Sequence, residues 1–428
     1  MAPVPELDAI VIADDPLASV RIAGLSARER ATRVATRAGA TRVLVIDGAR
    51  DGVTAWRGDR SYPVLVIRAD QLVHTPLVAP LVAAKPSEGV VVAVGPDDVY
   101  AGAYLAAGTA ARAAIAAISG GENNAVFPGA ADAKRIPHGA IARHAIATPE
   151  DRILAHEMLY RLMIKPQDNA ISRYIFRPVA RRLSKLLVHT PITPNMLSLT
   201  VGAMIAVACV LTATADMNLV ILGAAVQTSS CFIDCCDGEI ARLKLMSSRL
   251  GAWLDTIVDE LSTLGYMGAI GWHCHLYWGH PGWDIWTAGI VVGLSTCAWS
   301  IYCIYYNIIV GVGSANSQDY VGKFEVVPAD EPGAVRLRPV STKAIVPAKP
   351  LPPVLAAIVG FAPNIVRRDF IVWATLGLAV LHLTNVSFVC QVAGAVASAV
   401  ITTKDHVYLR LLRRSVARTG QRLLSPST

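Results

Sequence analysis

Hydrophobic positions fall in two regimes along the chain. Through about residue 155, short apolar runs rich in β-branched residues ("DAIVIAD", "TRVLVIDG", "YPVLVIRAD", "GVVVAVG") alternate with the amphipathic "ARERATRVATRAGA" and the alanine-rich "AYLAAGTAARAAIAAISGG". Short continuous apolar runs read as strands buried on both faces, and the longer stretches read as helices. The expectation is a soluble α/β domain with a mostly parallel sheet. "TPEDRILAHEMLYRLMIKP" opens on a capping-box pattern and reads as an amphipathic helix. Next, Arg173, Arg177, Arg181, Arg182 and Lys185 alternate with apolar residues at helical spacing. That pattern predicts a basic helix lying on a membrane surface.

Beyond residue 191 the apolar runs are long enough to cross a bilayer, which takes roughly 20 residues. The expected spans are 196–213, 217–241, 251–273 and 285–311, then a polar loop over 313–367. The stretch "DFIVWATLGLAVLHLTNVSFVCQVAGAVASAVITT" is then divided into two short spans near Asn385. Lysine and arginine are absent from the connections "TADMN", "CHLYWGHPGWD" and "LTNV", and abundant on the other side. This predicts six spans in a cell inner membrane, with both termini and the acidic segment described below on the cytoplasmic side.

Composition agrees. Hydrophobic residues make up 53% of the 428 positions and charged residues 17%, too apolar for an ordinary soluble enzyme. The positive-inside bias accounts for the net charge of +7 without nucleic acid. All eight cysteines lie from Cys209 onward, with no zinc spacing or disulfide framework. The first residues lack a basic start followed by a long apolar core, so no signal peptide is expected. His273, Cys274, His275 and His280 could hold a metal but fall on the outer face, where aromatic and histidine residues are common.

The chemistry concentrates in "DCCDGEIARLKLMSSRLGAWLDTIVDE". Helical spacing puts Asp234, Asp237, Gly238 and Ala241 on one stripe of the second span, and Gly251, Asp255 and Asp259 on one stripe of the third. Facing stripes would bring carboxylates together, and crowded carboxylates need positive charge. Hard divalent cations take oxygen ligands, and paired metals clamp attacking and leaving oxygens at phosphorus. The small residues leave room for a ligand, and Arg242 could offset phosphate charge. The competing class is a cation transporter using intramembrane carboxylates. It predicts acids spread through the bilayer depth, whereas these cluster at one end.

The pattern D-x2-D-G-x2-A-R-x8-G-x3-D-x3-D resembles the signature of the CDP-alcohol phosphotransferases at every fixed position. The resemblance covers roughly residues 170–410 and implies six transmembrane helices around the site. An alcohol attacks a CDP-alcohol and CMP leaves. It also implies two Mg²⁺ (or Mn²⁺) ions on Asp234, Asp237 and Asp255, with Asp259 as general base. Gly238, Ala241, Arg242, Gly251 and Asn195 would border the nucleotide. Arg249, Lys323, Arg367 and Arg368 lie on the side where an acceptor phosphate would sit.

The order of parts resembles the branch in which an inositol-phosphate cytidylyltransferase is fused to a di-myo-inositol-phosphate phosphate synthase. The soluble half departs from that branch. Its first strand runs into "IADDPLASVR", with no glycine to cradle a triphosphate. Asp70 could match the first metal aspartate, but Ala145 and Ala147 stand where a second is expected. The implied fold is a nucleotidyltransferase-like (Rossmann-like) α/β domain that has degenerated into a scaffold, dimer support or regulatory module. A divergent active transferase is the alternative.

The expected organisation is 1–155 for that domain, 156–190 for a linker and juxtamembrane helix, 191–410 for the phosphotransferase domain, and 411–428 for a basic tail. The expected partners are a CDP-alcohol donor, an alcohol or inositol-phosphate acceptor, membrane lipids and a second copy in a homodimer, with no nucleic acid. The chain lacks the Lys/Glu-rich composition of thermophiles, which favours lipid headgroup synthesis over a soluble di-inositol phosphate.

Overall fold

The computed structural model describes residues 6–121, 133–164, 172–314, 319–329, 331, 333–340 and 368–424. They form two compact units. One holds Met1–Pro166, Ser184–Pro191 and Glu239–Met246. The other holds Gln167–Leu183, Ile192–Gly238 and Ser247–Thr428.

The first unit is built on a six-stranded sheet of β1 (Leu7–Ile12), β2 (Ala40–Ile46), β3 (Val64–Arg68), β4 (Gly89–Val94), β5 (Tyr100–Ala107) and β6 (Lys134–Pro137). Their order is β2-β1-β3-β5-β4-β6. β1 pairs parallel with β2 and β3, and β4 pairs parallel with β6, but β5 runs antiparallel to both of its neighbours. The sheet is therefore mixed. The expectation placed β5 in an alanine-rich helix. Instead Tyr100–Ala107 is a strand, and only Thr109–Ser119 is helical (α2). Alanine favours helix only weakly, and burial of every residue after Tyr100 overrides it.

α1 (Ala27–Arg37) starts on a capping box between Ser26 and Glu29, and α3 (Pro149–Tyr160) on one between Thr148 and Asp151. Cores lie on both sheet faces, one around Leu65, Ile67 and Leu105, the other around Ile10, Val66 and Ile118. A third joins Leu159 and Leu72 to Val188 and Leu243. There the chain turns at Gly24, with φ +78°, where a Cβ would stand 1.9 Å from the Val188 carbonyl oxygen. Only glycine fits.

The second unit is helical. A π-helical turn over Ser172–Phe176 leads into α4 (Arg177–Leu187), the basic helix expected from the sequence, although Arg177 itself is buried. The longer helices are α5 (Pro194–Thr212), α6 (Met217–Leu243), α7 (Arg249–Trp278), α8 (Ile285–Gly311), α9 (Arg368–Val380) and α10 (Thr384–Arg418). The break in the last apolar stretch falls at 381–383, close to the expected Asn385, and α10 runs on into the basic tail. α5, α7 and α8 start on side-chain caps from Thr193, Ser248 and Asp284.

Among the described residues, four helices, α5, α6, α8 and α10, are long and apolar enough to cross a membrane. Only 22% of the most apolar stretch of α8 is buried within the protein, so its remaining surface suits lipid rather than water. α7 carries Asp255, Asp259 and Glu260 near its start, and α9 has 13 residues. The core joins Tyr266 and Ile270 of α7, Cys297 of α8 and Phe388 of α10. The loop expected over 313–367 contains a hairpin, Phe324–Pro328 with Ala334–Pro339, extended by Arg422–Leu423.

Candidate active site

α6 and α7 deliver the carboxylates as helical spacing requires. Asp234, Asp237 and Asp255 each offer an oxygen, and the three oxygens lie within 4.8 Å of one another. Among the described residues this is the one group of acidic, histidine or cysteine side chains gathered tightly enough to hold a metal. Ser198, on the first turns of α5, donates from Oγ to Asp237 Oδ2 at 2.9 Å. Arg368, at the start of α9, forms an ion pair with Asp259, and its Nη1 stands 3.9 Å from Asp234 Oδ2. Two of the four carboxylates, Asp234 and Asp259, thus share one guanidinium, and their side chains remain 25% and 37% exposed. Like charges this close are relieved by a further cation or by protons. An all-oxygen donor set open to a ligand fits Mg²⁺ or Mn²⁺.

Gly251 lies one turn before Asp255. A Cβ there would come 2.9 Å from Asn195 Oδ1 and 3.1 Å from Ser248 Oγ. The missing side chain lets Asn195 lie over the start of α7, where Ser248 Oγ accepts from the Gly251 amide at 2.9 Å.

Other expected residues divide. Ala241 and Arg242 fall in the sheet-bearing unit, where Arg242 donates from Nε to the Leu162 carbonyl at 2.8 Å. Arg249 and Lys323 are exposed and make no described ion pair with the carboxylates. Arg367 lies outside the described residues. Of the three described cations considered for an acceptor phosphate, Arg368 is the one brought to the aspartates. Ser198 was missed. Its signal was its spacing, three residues after Asn195 on the same helical face. Tyr305 was missed too, and its hydroxyl donates to Glu260 Oε1 at 2.8 Å.

The histidine group on the far connection does not gather around a metal. His273 contacts the Thr214 carbonyl and the Thr384 hydroxyl, while His275 pairs with Asp284 at 2.9 Å. In the sheet-bearing unit, Asp70 lines two adjoining cavities. One, of about 450 Å³, also has Ala145 and Ala147 on its wall, and the other, of about 300 Å³, has Asp14 and Asp15. Asp14 is paired with Arg50 and Asp70 with Arg68, and Asp15 caps a short helical turn.

A cluster of carboxylates that could hold a metal thus lies among long apolar helices. Residues 191–381 match the family described as CDP-alcohol phosphatidyltransferase. The chain is 36% identical over 116 residues to "Bifunctional IPC transferase and DIPP synthase" of Thermococcus kodakarensis, covering 27% of this chain and 26% of the relative. The protein of the same description from Aquifex aeolicus is 31% identical over 142 residues, 32% of this chain and 30% of that one. For Rubrobacter xylanophilus the figures are 38% over 115 residues, 27% and 26%. The matched part spans less than a third of each relative's length.

Proposed function

We propose that the chain is an integral membrane CDP-alcohol phosphotransferase that moves a phospho-alcohol from a CDP-alcohol to an acceptor hydroxyl and releases CMP. The observation that carries this reading is the convergence of Asp234, Asp237 and Asp255 within the matched domain. These three would hold Mg²⁺ or Mn²⁺, two ions per site by the family's pattern, and the bound metal would stabilise charge on the phosphates. Asp259 acts as general base and takes the proton of the acceptor hydroxyl as its oxygen attacks the β-phosphorus. Arg368 orients Asp259 through their ion pair and is placed to meet an acceptor phosphate. Ser198 fixes the Asp237 carboxylate. Asn195, Gly238 and Gly251 border the nucleotide, with Ala241 and Arg242 following on the same motif.

A phosphoinositol product is favoured because the relatives named above are described as DIPP synthases. Lipid headgroup synthesis is preferred to a soluble product on composition. α7 and α9 complete six spans with α5, α6, α8 and α10, and both termini and the carboxylates face the cytoplasm by the lysine and arginine distribution. The functional division is 1–155, 156–190, 191–410 and 411–428, and the assembly is a homodimer. The sheet-bearing unit is a degenerate nucleotidyltransferase-like domain. Its Asp14 and Asp70 are engaged by arginines, and its first loop has no glycine to cradle phosphates.

The test is CMP release by the purified protein with Mg²⁺, using CDP-inositol or CDP-diacylglycerol against a panel of acceptors. Asp259→Asn should lower the rate by on the order of 10²–10⁴-fold. Release that survives this change would remove Asp259 as the base. No release with any donor would remove the transferase reading.

A further inference from the structure

The last turns of α8, the C-terminal third of α10 and the residues just after it border an open cavity of about 420 Å³, lined by Tyr306, Arg410, Arg413, Arg414 and Gln421 among others. The three arginines stand at i, i+3 and i+4 on α10, so they converge on one side of the helix. Arg413 donates from Nη1 to the Tyr306 hydroxyl at 2.9 Å, and Arg410 donates from Nη2 to the Tyr302 hydroxyl at 3.2 Å. The Arg410 guanidinium also lies 5.1 Å from the centroid of the Tyr306 ring. Neutral phenols thus position these groups. No carboxylate lines the cavity, and the described ion pairs include none of the three arginines. Arg413 Nε is buried with no hydrogen-bond partner.

Three guanidinium groups around one cavity repel each other, and a buried donor without a partner is costly. A multidentate anion relieves both, and phosphate suits the planar fork of arginine best. The surroundings indicate where the phosphate comes from. Trp299, Tyr302 and Tyr306 succeed one another on the same helix, as aromatic residues do where membrane helices leave the hydrocarbon. Val407 and Leu411, exposed and one turn apart on α10, add an apolar stripe next to the arginines. Basic pockets at this level between membrane helices take phosphate headgroups.

We propose that this cavity binds the phosphate of an anionic lipid headgroup, at a site that shares no residue with the aspartate cluster. The proposal needs α8 and α10 to lie in a membrane but does not need the transferase activity.

The experiment compares the full chain in detergent with the triple variant R410Q/R413Q/R414Q by native mass spectrometry. Phosphatidic acid is added in one arm, phosphatidylcholine in the second and phosphatidic acid with excess inorganic phosphate in the third. The wild-type chain should retain phosphatidic acid roughly tenfold more tightly than the variant, equivalent to about 1.4 kcal/mol. Phosphatidylcholine should not tell the two apart. If inorganic phosphate displaces the lipid, the phosphate chemistry stands and free phosphate becomes the occupant. Equal retention of phosphatidic acid by both proteins overturns the proposal. If the triple variant does not fold, Arg414→Gln, at an exposed position, replaces it. Weakened retention then supports the site and unchanged retention overturns it. Absence of CMP release by the wild-type chain, with its lipid retention intact, would count against the transferase reading alone.

Discussion

The two units treat charge in opposite ways. In the sheet-bearing unit several acids are matched to arginines. Asp8 is buried against Arg57 at 2.5 Å, Asp14 meets Arg50, Asp70 meets Arg68, and Asp98 meets Arg135. In the helical unit Asp234, Asp237 and Asp255 converge, and Arg368 reaches only Asp234 and Asp259. At another place in that unit, three arginines gather with no acid among the cavity-lining residues. Pairs closed within the fold serve structure, whereas charge left in excess calls for something outside the chain. On the proposed reading, that is a divalent cation at one place and an anion at the other.

The largest expected effect sets one aspartate of each unit against the other. Asp255→Asn should lower CMP release by on the order of 10²-fold or more, and should weaken Mg²⁺ binding measured by calorimetry. Asp70→Asn should leave both within about twofold, because Asp70 is already neutralised by Arg68. If Asp70→Asn proved as damaging as Asp255→Asn, the contrast would collapse and the sheet-bearing unit would have to contribute to the reaction.

Next in size is the cost of opening a closed pair. Arg57→Met leaves Asp8, fully buried, without its close partner, since Arg60 stands at 3.7 Å and is partly exposed. Removing one member of a buried pair costs about 3–5 kcal/mol, whereas replacing both by apolar groups costs far less. Denaturant unfolding of the full chain should therefore show Arg57→Met strongly destabilised, and the double change Asp8→Leu/Arg57→Met largely restored. CMP release per folded molecule should not change. A single variant as stable as the wild type would mean that Asp8 is not held by this pair.

Legibility in the sequence followed the same division. The aspartate stripes could be read from spacing because a helix has one period, and α6 and α7 present their acids as that period demands. Strands β1–β4 were legible as short apolar runs between turns. β5 was not, because alanine carries little strand signal. Its conformation comes from pairing with β3 and β4, a tertiary effect. The hairpin around residues 324–339 was hidden in a stretch read only as polar loop. Arg368 was legible as a candidate cation for an acceptor phosphate, but its pairing with Asp259 crosses more than a hundred residues, and no local pattern encodes that. Ser198 escaped because a single serine at a helix start reads first as a cap.

The smallest expected effect concerns a place where the sheet-bearing unit buries a histidine with no described acid to match. His74 is buried, its Nδ1 has no hydrogen-bond partner, and burial together with the charges of Arg30 and Arg37 lowers its pKa to about 4. The unfolded chain takes up a proton near the ordinary value of 6.5, whereas the folded chain refuses it until about pH 4. Stability is therefore complete above pH 6.5, falls by up to about 3 kcal/mol as the pH drops to 4, and levels off below that. His156 is lowered as well, by burial and by His189, and adds to the loss in the same direction. His74→Gln should flatten the dependence of the unfolding midpoint on pH between 6.5 and 5 without abolishing it. Glu29 and Asp151, whose pKa values are lowered by their capping hydrogen bonds, act below that window and leave it clean. An unchanged slope in His74→Gln would mean that His74 accepts its proton in the folded state, and that even this buried group is compensated as the unit's acids are.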